Sequence, residues 1–212
     1  MAEVPLVVEN YPLRATAALV APSGRKQRFE VIYCGSLGLH QRLDAIIRSI
    51  PQWPVHADLV LIGNDTTPIC QQLKVLTTDM ELTKRVHFLG WMDRPTAELR
   101  LAHADLGIAL LASELEQWRT ALGASNKRYQ FMKARLPQIG DTNPGVPELL
   151  EGIGACVDAA THDPSEIAAL VNAYATDPAR CADEGARAFA RHQETYNYEQ
   201  VFGRLQDRIA VW

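Results

Sequence analysis

Lys127 stands beside Asn126 and three residues ahead of Gln130, inside the stretch Ser125-Asn-Lys-Arg-Tyr-Gln-Phe-Met-Lys-Ala-Arg-Leu-Pro-Gln-Ile-Gly140. An ammonium offers three donors to a phosphate, and side-chain amides both donate to and accept from sugar hydroxyls. The stretch reads as a short helix feeding a buried strand, with Ser125 or Asn126 placed to cap the helix. The first N–H groups of a helix lack intrahelical partners, so such a start is suited to an anion or a hydroxyl. A lysine in the first turn opposes the helix dipole, which implies that something outside the helix uses the cation. The plainer alternative is a solvated lysine on an ordinary helix. A second group of polar residues surrounds a glycine turn: Gly35, Ser36, His40, Gln41 and Arg42. Trp91 is suited to stacking on a base or packing between domains, and Trp118 to docking. Glu114 and Glu116 could contact a sugar or simply be solvated. His40 could touch phosphate, while His87 and His103 read as structural, and Lys133 and Arg135 as solvent-facing helix ends.

The elements that must position these groups alternate regularly. Phe29–Cys34 is an apolar run ending at Gly35, which reads as a buried strand. Leu43, Ile46, Ile47 and Ile50 make one helix face over 39–50, stopped by Pro51 and Pro54. The same reading gives strands at 58–62, 85–89, 105–111, 136–140 and 154–157. It gives helices at 68–79, 95–104, 146–151, 164–175, 178–192 and 198–209, with a loop at 114–123. Strand–helix alternation at roughly 25-residue intervals means βαβ units and a parallel sheet. The expected fold is therefore a Rossmann-like α/β three-layer sandwich with a mostly parallel six-stranded sheet. Three consecutive strands end in glycine (Gly35, Gly63 and Gly90), at the edge where such sheets bind ligands and where a missing side chain admits close approach.

Bulk properties narrow the class. A chain of 212 residues, 47% hydrophobic and 22% charged, can bury a full core, and its net charge of −4 argues against binding nucleic acid through bulk electrostatics. Cys34, Cys70, Cys156 and Cys181 have no metal-ligand spacing and read as buried thiols in a reducing compartment. No His, Asp, Glu or Cys set has metal spacing, and no uninterrupted apolar run is long enough to span a membrane. The N-terminal stretch lacks the pattern of a signal peptide. Gly35-Ser-Leu-Gly38 is not a dinucleotide fingerprint, and neither a phosphate-binding P-loop nor a GxSxG elbow occurs.

Taken in order, several segments resemble the C-terminal, donor-binding domain of the large group 1 family of retaining GT-B glycosyltransferases. They are Tyr33-Cys-Gly-Ser-Leu-Gly38, Leu59-Val-Leu-Ile-Gly63, Val86-His-Phe-Leu-Gly-Trp91, 102–110, Ser125-Asn-Lys-Arg-Tyr-Gln-Phe-Met132 and Leu136-Pro-Gln-Ile-Gly140, extended by 144–151. The resemblance implies that 29–212 form a nucleotide-sugar-binding domain, and that 1–28 are a linker or remnant leading from a missing N-terminal acceptor domain. It implies a nucleotide-diphosphate sugar as substrate, no cofactor and no metal, and a polysaccharide or glycolipid acceptor. The implied location is cytoplasmic, at the inner face of a membrane that carries the acceptor. The donor diphosphate would lie over Gly35 and Ser36 and near the start of the Leu39 helix, with Gln41, Arg42 and Lys127 about it. The base would lie against Leu89, Gly90 and Trp91, and the ribose or sugar against Ser125, Asn126 and Gln130. The chain departs from the family where it matters for chemistry. Gln130 stands where a Glu is usual, Leu122 where a second Glu often stands, Ser36 where an Arg often stands, and Gln41 near a usual Lys or Arg. Arg42 is either the replacement cation or a surface residue. Those departures leave a degenerate, partner-binding or regulatory module as an alternative to an enzyme. A sugar-nucleotide epimerase is a third reading, for which this half shows no acid/base pair.

Overall fold

A computed structural model describes residues 7–15 and 28–209. Six strands form one parallel sheet: β1 (Phe29–Cys34), β2 (Ala57–Ile62), β3 (Val86–Phe88), β4 (Leu106–Ile108), β5 (Gln138–Asp141) and β6 (Gly154–Val157), in the spatial order β3-β2-β1-β4-β5-β6. Among the described residues the helices are α1 (Leu43–Ser49), α2 (Pro68–Asp79), α3 (Arg94–Ala102), α4 (Glu116–Arg119), α5 (Lys127–Lys133), α6 (Val146–Leu150), α7 (Pro164–Ala175), α8 (Pro178–Glu194) and α9 (Tyr198–Ile209). The six strands expected of the sheet are present, each within a few residues of its expected bounds.

The alternation of side chains along β1 builds both faces. Val31 and Tyr33 enter the core with Ile46 and Ile47 of α1, Leu73 of α2 and Val171 of α7. Ile32 points the other way, into a second core with Leu101 of α3 and Phe131 of α5. Buried on both sides, the strand is nearly continuously apolar, as parallel strands are. The chain lays down β2 and β3 on one side of β1, then returns to place β4 on the other. The order therefore reverses between β1 and β4, and the crevice beyond their carboxyl ends is the ligand edge of such a sheet.

Two glycines set α5 flush on the sheet. A Cβ at Gly107 of β4 would lie 2.6 Å from the Phe131 ring, and one at Gly140 of β5 would lie 2.9 Å from Arg128 Nη1. Arg128, only 1% exposed, pairs with the fully buried Asp141 at 3.2 Å and donates to the Ala109 carbonyl at 2.6 Å. Asp141 also accepts from the N–H of Leu111 at 2.7 Å, so one buried ion pair ties α5 to the ends of β4 and β5.

Several local expectations change. The helix foreseen over 39–50 is broken. Leu39–Gln41 is a 3₁₀ turn, Arg42 takes the left-handed conformation at φ 49°, and only Leu43–Ser49 is α-helical. Gly63 serves the chain rather than a ligand, since a Cβ there would sit 2.1 Å from the Gly35 carbonyl oxygen. Lys133 is not a solvated helix end. It is 8% exposed and bonds Glu98 of α3 at 2.7 Å. The 114–123 loop contains the four-residue α4. The linker or remnant expected at 1–28 falls largely on residues outside those described. Val7–Ala15 form no strand, and Tyr11 packs edge-on against Tyr129 with ring centroids 4.5 Å apart.

Candidate functional site

Beyond the carboxyl end of β1 lies a cavity of about 350 Å³. Cys34 and Gly35 form its floor, and Trp91 and Met92 bring in the segment after β3. Arg94, Ala97, Glu98 and Leu101 of α3 form one wall, with Asn126 and Gln130 opposite. Two larger hollows, of about 610 and 560 Å³, both border Arg28. The second runs past Phe29, Asp105 and Pro137, at the amino ends of the strands, where parallel sheets of this kind do not carry their ligands.

Lys127 is the electrostatic centre of the edge. Its side chain folds back over the end of β1. A Cβ on Gly35 would lie 2.9 Å from Lys127 Cε and 3.5 Å from Nζ and would displace the end of that side chain, and the backbone at φ 146° itself favours glycine. Nζ lies 5.6 Å from the centroid of the Tyr33 ring. No ion pair or side-chain hydrogen bond of this ammonium occurs among the described residues. Burial, then the neighbouring Arg128, push its pKa down to about 8. The Tyr33 hydroxyl donates to the Ser36 carbonyl at 2.7 Å and fixes the turn that faces Lys127.

The amide side chains lie beside this cation. Asn126 occupies the N-cap position of α5, but in a helical conformation (φ −80°, ψ −10°) and with no capping bond. Its Oδ1 is buried and lacks a protein partner. Neither Ser125 nor Asn126 is thus the cap that the sequence suggested. With α5 only seven residues long, the cation rather than a helix dipole gives this edge its charge. Gln130 is half-buried on the cavity wall, one helical turn from Asn126, whose carbonyl its N–H reaches at 3.0 Å.

The structure brings Gly35, Trp91, Asn126, Gln130 and Lys127 together and sets other expected residues apart. Ser36 is exposed on the turn. Gln41 is 4% exposed, with its Oε1 unpartnered and packed toward Gly38. Arg42 turns to Glu114 in an ion pair. Leu89 and Gly90 extend the β2–β3 ladder through Leu89 N–H to Leu61 O at 2.9 Å and Gly63 N–H to Gly90 O at 3.0 Å. Trp91 is 75% exposed, and Ser125 does not line the cavity. Trp118 stacks on His40 with centroids 5.2 Å apart, and Glu116 pairs with Arg119. Sequence reasoning missed Cys34, Arg94 and Glu98. The one signal for the last two was their i,i+4 spacing, which they use in an ion pair at 3.0 Å. Burial raises the pKa of the Cys34 thiol, and Lys127 opposes that rise.

Strand order, parallel register and a cleft at the switch point define a Rossmann-like α/β domain of the kind found in GT-B glycosyltransferases. The model of the family "Glycosyl transferases group 1" matches residues 28–177, most of the chain, and the chain belongs to that family. No curated protein matches it. Among solved structures it is similar to Anabaena HepE in complex with UDP-glucose, with a TM-score of 0.74 at 18% identity over 87% of this chain and 49% of that one. Sucrose-phosphate synthase from Thermosynechococcus elongatus matches with a TM-score of 0.70 at 19% identity over 87% of this chain and 46% of that one. WaaG, a glycosyltransferase involved in lipopolysaccharide biosynthesis, matches with a TM-score of 0.68 at 13% identity over 92% of this chain and 54% of that one. The chain spans about half the length of these proteins. No helix among the described residues is long and apolar enough to cross a membrane.

Proposed function

We propose that the domain binds a nucleotide-diphosphate sugar as the donor half of a glycosyltransferase whose acceptor is a polysaccharide or glycolipid. The observation that carries this reading is Lys127, a partly buried ammonium without a counter-ion among the described residues, set against the bare backbone of Gly35. A partly desolvated cation without a partner is completed by an anion, and a diphosphate is the anion that fits beside a glycine turn at this edge. Asn126 and Gln130 then face the ribose or the sugar, and Trp91 offers an exposed ring to the base. HepE structures hold UDP or UDP-glucose, which supports a uridine nucleotide as the first ligand to test. In transfer, an acceptor hydroxyl attacks the anomeric carbon as the bond to the diphosphate breaks, the hydroxyl proton passes to a departing phosphate oxygen, and the Lys127 ammonium stabilises the departing charge. The acceptor is assigned to an N-terminal domain of the kind that completes a GT-B cleft, reached at the inner face of a membrane in the cytoplasm.

Titration calorimetry at pH 7 with UDP, GDP and their sugars tests the reading. Saturable binding of at least one nucleotide is expected, weakened tenfold or more by Lys127→Met. Silence toward every nucleotide at millimolar concentration would refute it.

A further inference from the structure

The turn after β1 carries a second cation that is already occupied. Arg42, the residue at φ 49° that ends this turn, forms an ion pair with Glu114 from the segment following β4. The pair is a surface one on the carboxylate side, with Glu114 61% exposed and Arg42 27% exposed. The same two segments meet twice more, where the N–H of Ala112 donates to the His40 carbonyl at 2.9 Å and where Trp118 stacks on His40. The contact nevertheless leaves donors unused. Arg42 Nε and Trp118 Nε1 are both buried without partners. A guanidinium held by one exposed carboxylate, with a further buried N–H to spare, exchanges readily to an anion with more oxygens.

Lys127 and Arg42 therefore differ in state, the first uncompensated and the second neutralised by Glu114. Resting on the donor reading above, we infer that Glu114 is a specificity-determining residue of the phosphate subsite. Paired with Arg42, it leaves one net positive charge beside the Gly35–Gly38 turn, which suffices for one phosphoryl group. Released from Glu114, the Arg42 side chain swings over the turn it terminates and supplies the second charge that a diphosphate needs. Glu114 thus weakens diphosphate binding, in the donor and in the nucleoside diphosphate it releases alike, more than monophosphate binding. His162, buried beside this pair, feels both partners along with Asp141, so the groups facing the pair include a carboxylate and a neutral imidazole as well as the turn itself.

The test compares mono- and diphosphates of whichever nucleobase the protein accepts, beginning with UMP and UDP, on wild type, Glu114→Gln, Arg42→Gln and the double variant. Glu114→Gln alters an exposed side chain and leaves the fold intact. It is expected to tighten UDP about tenfold while changing UMP by less than about twofold. In the Arg42→Gln background the same change is expected to have no effect on either. Equal gains for UMP and UDP, no gain, or a gain that persists without Arg42 would each overturn the role of Glu114 while leaving the donor reading standing. Silence of all four proteins toward every nucleotide would overturn both.

Discussion

A lysine with a depressed pKa makes two opposite demands on pH, and both can be measured. Lys127 titrates near 8 in the folded chain, below its ordinary 10.5, because burial and Arg128 disfavour the charge. Between those values the unfolded chain holds a proton that the folded one has released, so this residue makes stability rise with pH from about 8 toward 10.5. Binding of an anion runs the other way, because only the protonated amine completes it. Nucleotide affinity at constant ionic strength is expected to fall as pH climbs past about 8, with proton uptake on binding visible as a buffer-dependent heat. Lys127→Met should abolish both trends, and a pH-independent affinity in wild type would remove Lys127 from the site. Gln130 makes a separate prediction. A carboxylate there accepts charge-assisted bonds from a ribose diol but repels phosphate. Gln130→Glu should tighten UDP about threefold and leave pyrophosphate unchanged or weaker. Equal effects on the two ligands would place Gln130 away from the ribose.

At the scale of elements, the site depends on how one short helix and one broken turn are held. A seven-residue helix has little stability of its own, so α5 stands where Gly107, Gly140 and the Arg128–Asp141 pair put it. Breaking that pair from one side strands a buried charge. Arg128→Met is expected to lower unfolding free energy by roughly 3–5 kcal/mol, measured by urea titration. The double change Arg128→Met with Asp141→Leu should recover much of the loss, and a single variant costing under about 1 kcal/mol would show the pair to be solvated. The β1–α1 turn offers a second test at this scale. Arg42 sits in a left-handed conformation that suits glycine. Arg42→Gly and Arg42→Ala both lose the exposed pair with Glu114, but only glycine relieves the backbone. Arg42→Gly should therefore be more stable than Arg42→Ala by about 1 kcal/mol.

At the scale of the whole molecule, one helix keeps apolar side chains on its surface. The final helix, α9, buries Val201 but leaves Tyr198, Phe202 and Ile209 exposed at 40%, 38% and 63%, spaced along one side, with Tyr198 stacked on Phe202. Such a stripe on an isolated chain favours weak self-association. Sedimentation is expected to show concentration-dependent dimerisation at high micromolar protein that Phe202→Glu suppresses. A strictly monomeric wild type over that range would mean the stripe is too small to pair. The segment Val7–Ala15 lies along the same side of the molecule. The Ala15 N–H reaches His192 at 3.2 Å, and the Tyr198 N–H reaches the Pro12 carbonyl at 2.9 Å, so the entering chain and the junction of α8 and α9 form one packed unit.

The sequence by itself determined the sheet and its parallel sense, and pointed to the carboxyl edge of the strands as the place to look for a site. Those properties follow from local signals: apolar runs of strand length, glycine and proline at element ends, and helix faces such as Leu43, Ile46, Ile47 and Ile50, all 1% exposed or less. It also singled out Gly35, Lys127, Asn126 and Gln130, which the fold collects at one crevice although about 90 residues separate the first from the rest. What only the tertiary structure decided is the state of each charge. Among the described residues Lys127 is left without a counter-ion, Arg42 is neutralised by Glu114, Lys133 is buried against Glu98, and Arg128 is sealed with Asp141. Whether a cation is available to a ligand depends on burial and on partners brought from 13 to 72 residues away. A periodic pattern encodes which face of an element is covered, but not which charged group waits on the other side.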